Sequence, residues 1–221
     1  MKRVIIAAVG AAAVLLIGGC IKITVSPGGE TKNDSEFRLS DASYGITVTV
    51  DEHPEQPMIP AVKLREMTEQ ELVGSCDLIV RGTVKNIQNI RFTADGFDVT
   101  RALVTITPAA VIKGTASGDV TLLASCPIDG TFQIEDTETA CAIRTGMEGI
   151  FMLQAYGDTE LWELENAALR WKDIADYRFG DGRRYAFLNT ANGLLYAEWA
   201  YPSLQAGSLD DVQAFLASFG G

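Results

Sequence analysis

Apolar residues fill almost every position from Val4 to Ile17, and no later stretch is apolar for so long. Ile21 to about Ser43 reads the opposite way, rich in Gly, Ser, Thr, Asn and charge, with Pro27-Gly28-Gly29 inside it. Ile46-Thr47-Val48-Thr49-Val50 then alternates with the period of a half-buried strand. Pro54, Pro57 and Pro60 interrupt regular structure after it. Residues 20–60 are therefore predicted as a flexible tether with a candidate strand at 46–50. That stretch is either linker or a strand packed on the domain. The globular domain is predicted over 61–221.

Thr68-Glu69-Gln70-Glu71 has the form of a capping box, so a short helix is expected through about Ser75, burying Leu72, Val73 and Cys76. Leu78 to Ile87 is a predicted strand, with Gly82 marking a bulge or bend. Phe97 to Ile112 is a second strand beyond the turn signal Asp95-Gly96, with Pro108 limiting regular pairing. Val120–Ala124, Ala140–Arg144 and Ile150–Leu153 are the third, fourth and fifth. Asp158 to Tyr177 fits helix and strand about equally. Tyr185–Leu188 and Leu194–Ala197 flank Asn192-Gly193, a hairpin signal. Ser208 can cap a closing helix from Leu209 to Phe219, with Val212, Phe215, Leu216 and Phe219 on one face. Short strands between one leading and one closing helix predict a mainly β chain built as a small barrel.

The apolar N-terminal run has the parts of an export signal. Lys2 and Arg3 precede it, its length suits a cleaved leader and is short for a bilayer span, and Gly18-Gly19 follow it. Ile17-Gly18-Gly19-Cys20 matches the lipobox of bacterial lipoproteins. Residues 1–19 are thus expected to be removed. Cys20 becomes the acylated first residue, carrying palmitate-type chains, and the chain is held on the extracytoplasmic face of the membrane. Each buried CH₂ contributes about 0.8 kcal/mol, so a two-chain anchor is stable.

Composition narrows the partners. The chain carries a net charge of −11, and losing Lys2 and Arg3 with the leader makes it about −13. Such a surface repels nucleic acid and anionic headgroups. Cys20, Cys76, Cys126 and Cys141 are the four cysteines. With Cys20 acylated, three remain, and export permits a disulfide. Cys126 and Cys141 bracket a polar, acidic segment, and a bridge between them would close a loop of about 15 residues, contributing roughly 3 kcal/mol. Cys76, between Leu72-Val73 and Leu78-Ile79-Val80, reads as a small buried residue, although a Cys76 bridge to either partner stays open.

Three segments carry a family resemblance: Cys76-Asp77-Leu78-Ile79-Val80-Arg81-Gly82-Thr83-Val84, then Val104 to Val111-Ile112-Lys113-Gly114, then Gly149-Ile150-Phe151-Met152-Leu153. This resembles small, mostly uncharacterised lipoproteins of Gram-positive bacteria over roughly residues 68–200. The resemblance implies an OB-like five-stranded barrel, similar to the netrin and metalloproteinase-inhibitor barrels. It brings no agreed activity. In such inhibitors a free N-terminal cysteine chelates zinc. Here Cys20 would be lipidated and distant, so that mechanism is not expected to transfer.

Candidate chemistry is sparse. His53 is the one histidine, and it lies among acids and prolines. Any Ser-His-Asp or Cys-His site would have to use it, and neither Ser75 nor Ser203 lies in a nucleophile elbow. Asp173, Asp176 and Asp181 cluster, as do Asp129, Glu135, Asp136 and Glu138, without the spacing of a calcium loop. No phosphate loop is present, and Trp162, Trp171 and Trp199 read as core rather than platform. The expected function is a non-enzymatic binding module, without cofactor or metal, for an envelope protein, peptide or glycan. Its loops would be Asn89–Gly96 and Pro127–Thr139. The alternative is a carboxylate-dependent hydrolase of cell-wall polymers.

Overall fold

A computed structural model describes residues 37–56, 64–132 and 134–219. The leader, Cys20, most of the expected tether and the domain start at Ala61 lie outside the described residues. Among the described residues, no helix is long and apolar enough to cross a membrane.

The fold is mainly β. Helix α1 (Glu69–Gly74) starts at Thr68, whose hydroxyl accepts from the Glu71 amide at 3.2 Å while the Glu71 carboxylate accepts from the Thr68 amide at 2.8 Å. Both halves of the expected capping box are present. Thr68→Ala is expected to cost about 1 kcal/mol, read as a lowered Tm on thermal melting. An unchanged Tm would show that α1 is held by packing alone.

Strands β2 (Leu78–Ala94) and β3 (Phe97–Lys113) form one long antiparallel hairpin. Asp95 and Gly96 both have positive φ, at 46° and 76°, the geometry of a tight hairpin turn. β2 runs well past Ile87 because Ile90, Phe92 and Ala94 alternate into a core. The stretch Asn89–Gly96, expected as a binding loop, is therefore mostly strand. Pairing also continues through Pro108, opposite Gly82, by a register shift. A Cβ at Gly82 would stand 2.5 Å from the Thr107 carbonyl oxygen, so this crossing requires glycine.

The remaining strands assemble on that hairpin. β1 (Thr47–Val50) pairs with the far half of β2, opposite Ile90 to Thr93. The candidate strand at 46–50 is thus packed on the body. β4 (Val120–Leu123) pairs with β3, and β5 (Glu148–Ala155) pairs with the near half of β2. The ambiguous stretch resolves into a small hairpin, β6 (Leu161–Glu163) and β7 (Ala168–Arg170), a 3₁₀ turn, and β8 (Tyr177–Arg178). β8 lies parallel to β4 and antiparallel to β5. β9 (Ala186–Thr190) pairs with β5 and with β10 (Gly193–Leu195) across Asn192-Gly193. Helix α3 (Leu209–Ala217) closes the chain, with the Ser208 hydroxyl accepting from the Asp211 amide.

One expected strand is wrong. Ala140–Arg144 falls on a single helical turn, α2 (Glu138–Cys141). Apart from Ala140 N–H, which donates to Gly182 O in a turn, its backbone bonds are local, with Cys141 N–H donating to Thr137 O at 2.8 Å and Ile143 N–H to Ala140 O at 3.2 Å. No neighbouring strand edge takes those groups, so the apolar residues enter the core from a turn.

Two cores result. The larger centres on Val80, Val104, Ile106, Phe151 and Phe187 with α1 and α3 against it. The smaller lies under the far half of the hairpin and contains Val48, Ile90, Phe92, Leu169 and Trp171.

Candidate functional site

The segment from Pro127 to Arg144 leaves the sheet after β4 and borders an open cleft of about 560 Å³. Thr131, Phe132, Ile134, Glu135, Glu138 and Arg144 are among the residues lining it. Of the two expected binding loops, it is the second that walls this cleft, while the first contributes Arg91 to a separate, smaller cavity.

That loop is held from three sides. On the first, Asn89 of β2 grips its start: Asn89 Nδ2 donates to Ile128 O and Ile128 N–H donates to Asn89 Oδ1, both at 2.9 Å. Asp129 then makes a turn, accepting from the amides of Thr131 at 2.7 Å and Phe132 at 3.1 Å. Slight burial works to raise the Asp129 carboxyl, but those bonds and nearby Arg144 outweigh it and hold it below its usual value. On the second side, Arg144 donates to the carbonyls of Cys141, Ile143 and Gly130, tying the two ends of the segment together.

The third side is the turn at 181–184. Ala140 N–H donates to Gly182 O at 2.9 Å, and Thr139 Oγ1 to Arg183 O at 2.7 Å. Arg183 pairs with Asp136 at 2.9 Å and with Glu138 at 3.0 Å. Trp199, 57% exposed, lies 5.3 Å from the Arg183 guanidinium. The expected core placement is therefore wrong for Trp199, while Trp162 is half-buried. Trp171 is buried and stacks on Trp162 at 5.7 Å, as expected for core residues.

Cys126 and Cys141 meet behind the cleft. Their sulfurs are 3.4 Å apart as thiols, and both residues are buried. The hydrogen bond between the two sulfurs, in which either can be the donor, is the chief influence on both. It holds Cys141 below the ordinary thiol value against the opposing effect of burial, and, together with burial, holds Cys126 above it. Thr137 Oγ1 lies 3.1 Å from Cys141 Sγ and 2.9 Å from Ile134 O, so its single proton serves one of them. Cys76 is separate: burial pushes its thiol up to about 12, and its Sγ lies 3.3 Å from Leu72 O.

The other singled-out residues are dispersed. His53 is exposed, its amide donating to Asp51 Oδ1 at 3.3 Å. Ser75 and Ser203 are engaged elsewhere: the Ser75 hydroxyl donates to Leu72 O, and the Ser203 amide donates to Glu69. Asp173, Asp176 and Asp181 are drawn apart to Ser40 and Ser43, to Thr121 and to Arg184. Among the described residues, no three Cys, His, Asp or Glu side chains converge as a metal site.

Arg101 was not recognised in the sequence. Its guanidinium sits 5.0 Å above the Trp171 ring, and its buried Nε has no hydrogen-bond partner. Burial pulls its pKa below the ordinary arginine value. The available signal was its place between Val99 and Leu103 on the half-buried side of an alternating strand. Comparison with family models, curated proteins and solved structures found no match.

Proposed function

We propose that this chain is a lipoprotein anchored through Cys20 on the extracytoplasmic face of the membrane. Its domain is read as an OB-like barrel acting as a non-enzymatic binding module for an envelope protein, peptide or glycan. Pairings of β2 with β3, β3 with β4, β4 with β8, β8 with β5 and β5 with β2 support the barrel reading. So does the parallel orientation of β4 and β8 within an otherwise antiparallel set.

The observation that carries the binding reading is the framed cleft. Asn89, Asp129, Arg144 and the 181–184 turn hold the loop's backbone, while Phe132 and Glu135 face the cleft with a volume suited to a side chain or sugar ring. Pre-organised loops on rigid strands lower the entropic cost of capture. Glu135 and Glu138 both line the cleft, which is the one feature favouring a hydrolase. Glu138 is already committed to Arg183.

The test is co-sedimentation of the full chain with purified peptidoglycan sacculi, alongside fluorescence titration with envelope-derived peptides. Phe132→Ala is expected to weaken capture at least tenfold, while Phe97→Ala, an exposed ring on the β2–β3 hairpin, leaves it unchanged. Equal binding by both variants would refute the cleft. Breakdown of the sacculi, abolished by Glu135→Gln, would establish the hydrolase instead. In cells, Cys20→Ala is expected to move the protein from the membrane fraction to the soluble fraction.

A further inference from the structure

Cys126 and Cys141 differ in placement although their sulfurs touch. Cys126 follows β4 and has no exposed surface, with its carbonyl accepting from the Ala102 amide at 3.0 Å. Cys141 ends α2 and borders the cleft. A bond between them needs the sulfurs to close from 3.4 Å to about 2.05 Å, a small movement for a side chain on a short turn. Two cations flank the pair; among the described residues neither is within ion-pair distance of a carboxylate, although Arg144 also acts on Asp129. Arg144 acts on Cys141 from the cleft wall, and Arg101 acts on Cys126 from the smaller core. Positive charge beside a thiol favours the thiolate, the form that attacks disulfides.

We propose that Cys126 and Cys141 form an exchange-competent dithiol, in which Cys141 is the attacking sulfur reached through the cleft and Cys126 the resolving sulfur. The oxidant is a disulfide, either glutathione disulfide or the oxidised form of a thiol oxidoreductase. The Cys141 thiolate attacks one of its sulfurs, forming a mixed disulfide and expelling one thiolate. Cys126 then loses its proton and attacks Cys141 Sγ, expelling the second thiolate. Two protein thiols become one disulfide, the oxidant disulfide becomes two thiols, and the two protons leave with them. The bond pins the loop wall of the cleft to the end of β4, so the oxidation state of the pair sets the mobility of that wall. This inference is independent of the ligand reading.

The test uses the purified full chain in detergent, equilibrated in mixtures of glutathione and glutathione disulfide, quenched, alkylated and mapped by peptide mass spectrometry. A Cys126–Cys141 linked peptide is expected to rise with the disulfide fraction and to vanish in excess glutathione, with Cys76 remaining a thiol throughout. Cys126→Ser should trap one glutathione on Cys141, and Cys141→Ser should hold at least tenfold less on Cys126. Where a serine variant does not fold, alkylation rates in the reduced native protein give the same reading, with Cys141 modified at least tenfold faster than Cys126. Persistent thiols in the most oxidising mixture would overturn the proposal. So would equal trapping, or a bridge that resists excess glutathione in the folded protein.

Discussion

Replacing Asp181 with alanine is expected to lower the unfolding free energy by about 3–5 kcal/mol. The Asp181 and Arg184 side chains are only 9% and 5% exposed, and Arg184 Nε donates to Asp181 Oδ2 at 2.7 Å. Asp181 also accepts from the amides of Arg183 and Arg184, at 2.9 Å each. Arg184 spends a further N–H on the Arg65 carbonyl at 2.8 Å, and its own carbonyl accepts from Tyr201 Oη at 2.6 Å. Removing the carboxylate strands a guanidinium where water does not reach and frees two turn amides. That loss exceeds the pair's own net contribution, because the desolvation cost of the surviving charge is left uncompensated. Urea denaturation of the variant is the measurement. A loss under about 1 kcal/mol would mean that Arg184 finds solvent readily. The same turn supports α2 through Gly182 and Arg183, so capture at the cleft should weaken as well.

Asp173 governs the second large effect, and it is local. Its side chain is 2% exposed. It accepts from the Ser40 amide and hydroxyl at 2.8 Å, from the Ser43 hydroxyl at 2.7 Å and from Arg170 Nε at 2.9 Å. This one carboxylate fastens the segment before β1 to the turn after β7. Asp173→Ala is expected to destabilise the docked segment by about 3–5 kcal/mol, since Arg170 and three other donors lose their acceptor. Acid should have the same effect. Burial works to raise this carboxyl, but the hydrogen bonds from Ser43, Ser40 and Arg170 outweigh it and hold it below its ordinary value. The undocked form therefore binds the proton more tightly. The stabilisation is fully present above the ordinary aspartate range and is lost as pH falls below about 4 through the depressed value. Asp51, bonded to Arg91 and Thr100 just after β1, is lowered likewise and acts in the same sense. Hydrogen exchange, corrected for intrinsic rates, should show Tyr44, Ala168 and the β1 amides losing protection on acidification before those of β5. Simultaneous loss everywhere would show that the segment is not a separate unit.

The elements most legible in the sequence were those whose cause is local. The Thr68 and Ser208 caps, the Asp95-Gly96 and Asn192-Gly193 turns and the apolar stretch of β5 each depend on residues within a few positions of one another. The proposed anchor at Cys20 likewise rests on the order of neighbouring residues. Ala140–Arg144 failed because its four apolar or small residues, Ala140 to Ile143, suit a strand or a buried turn equally. The absence of a free edge beside them, which is a matter of topology, selected the turn. Asn89–Ala94 failed in the other direction. Polar Asn89, Arg91 and Thr93 read as loop until β1, arriving from forty residues earlier, pairs with that half of β2 and buries Ile90 and Phe92 beneath it.

The site divides along the same line. Spacing alone pointed to Cys126 with Cys141 and to the acidic stretch between them as a loop. Only the folded chain brings Asn89, Gly182 and Arg183 to that loop, opens a cleft behind Phe132, and sets Arg101 and Arg144 on either side of the two sulfurs. Hydrogen-bond caps and turns are short-range and leave their mark on adjacent residues. Burial, charge compensation and cavity shape depend on which distant strands become neighbours, and those neighbours are chosen by the packing of the whole body.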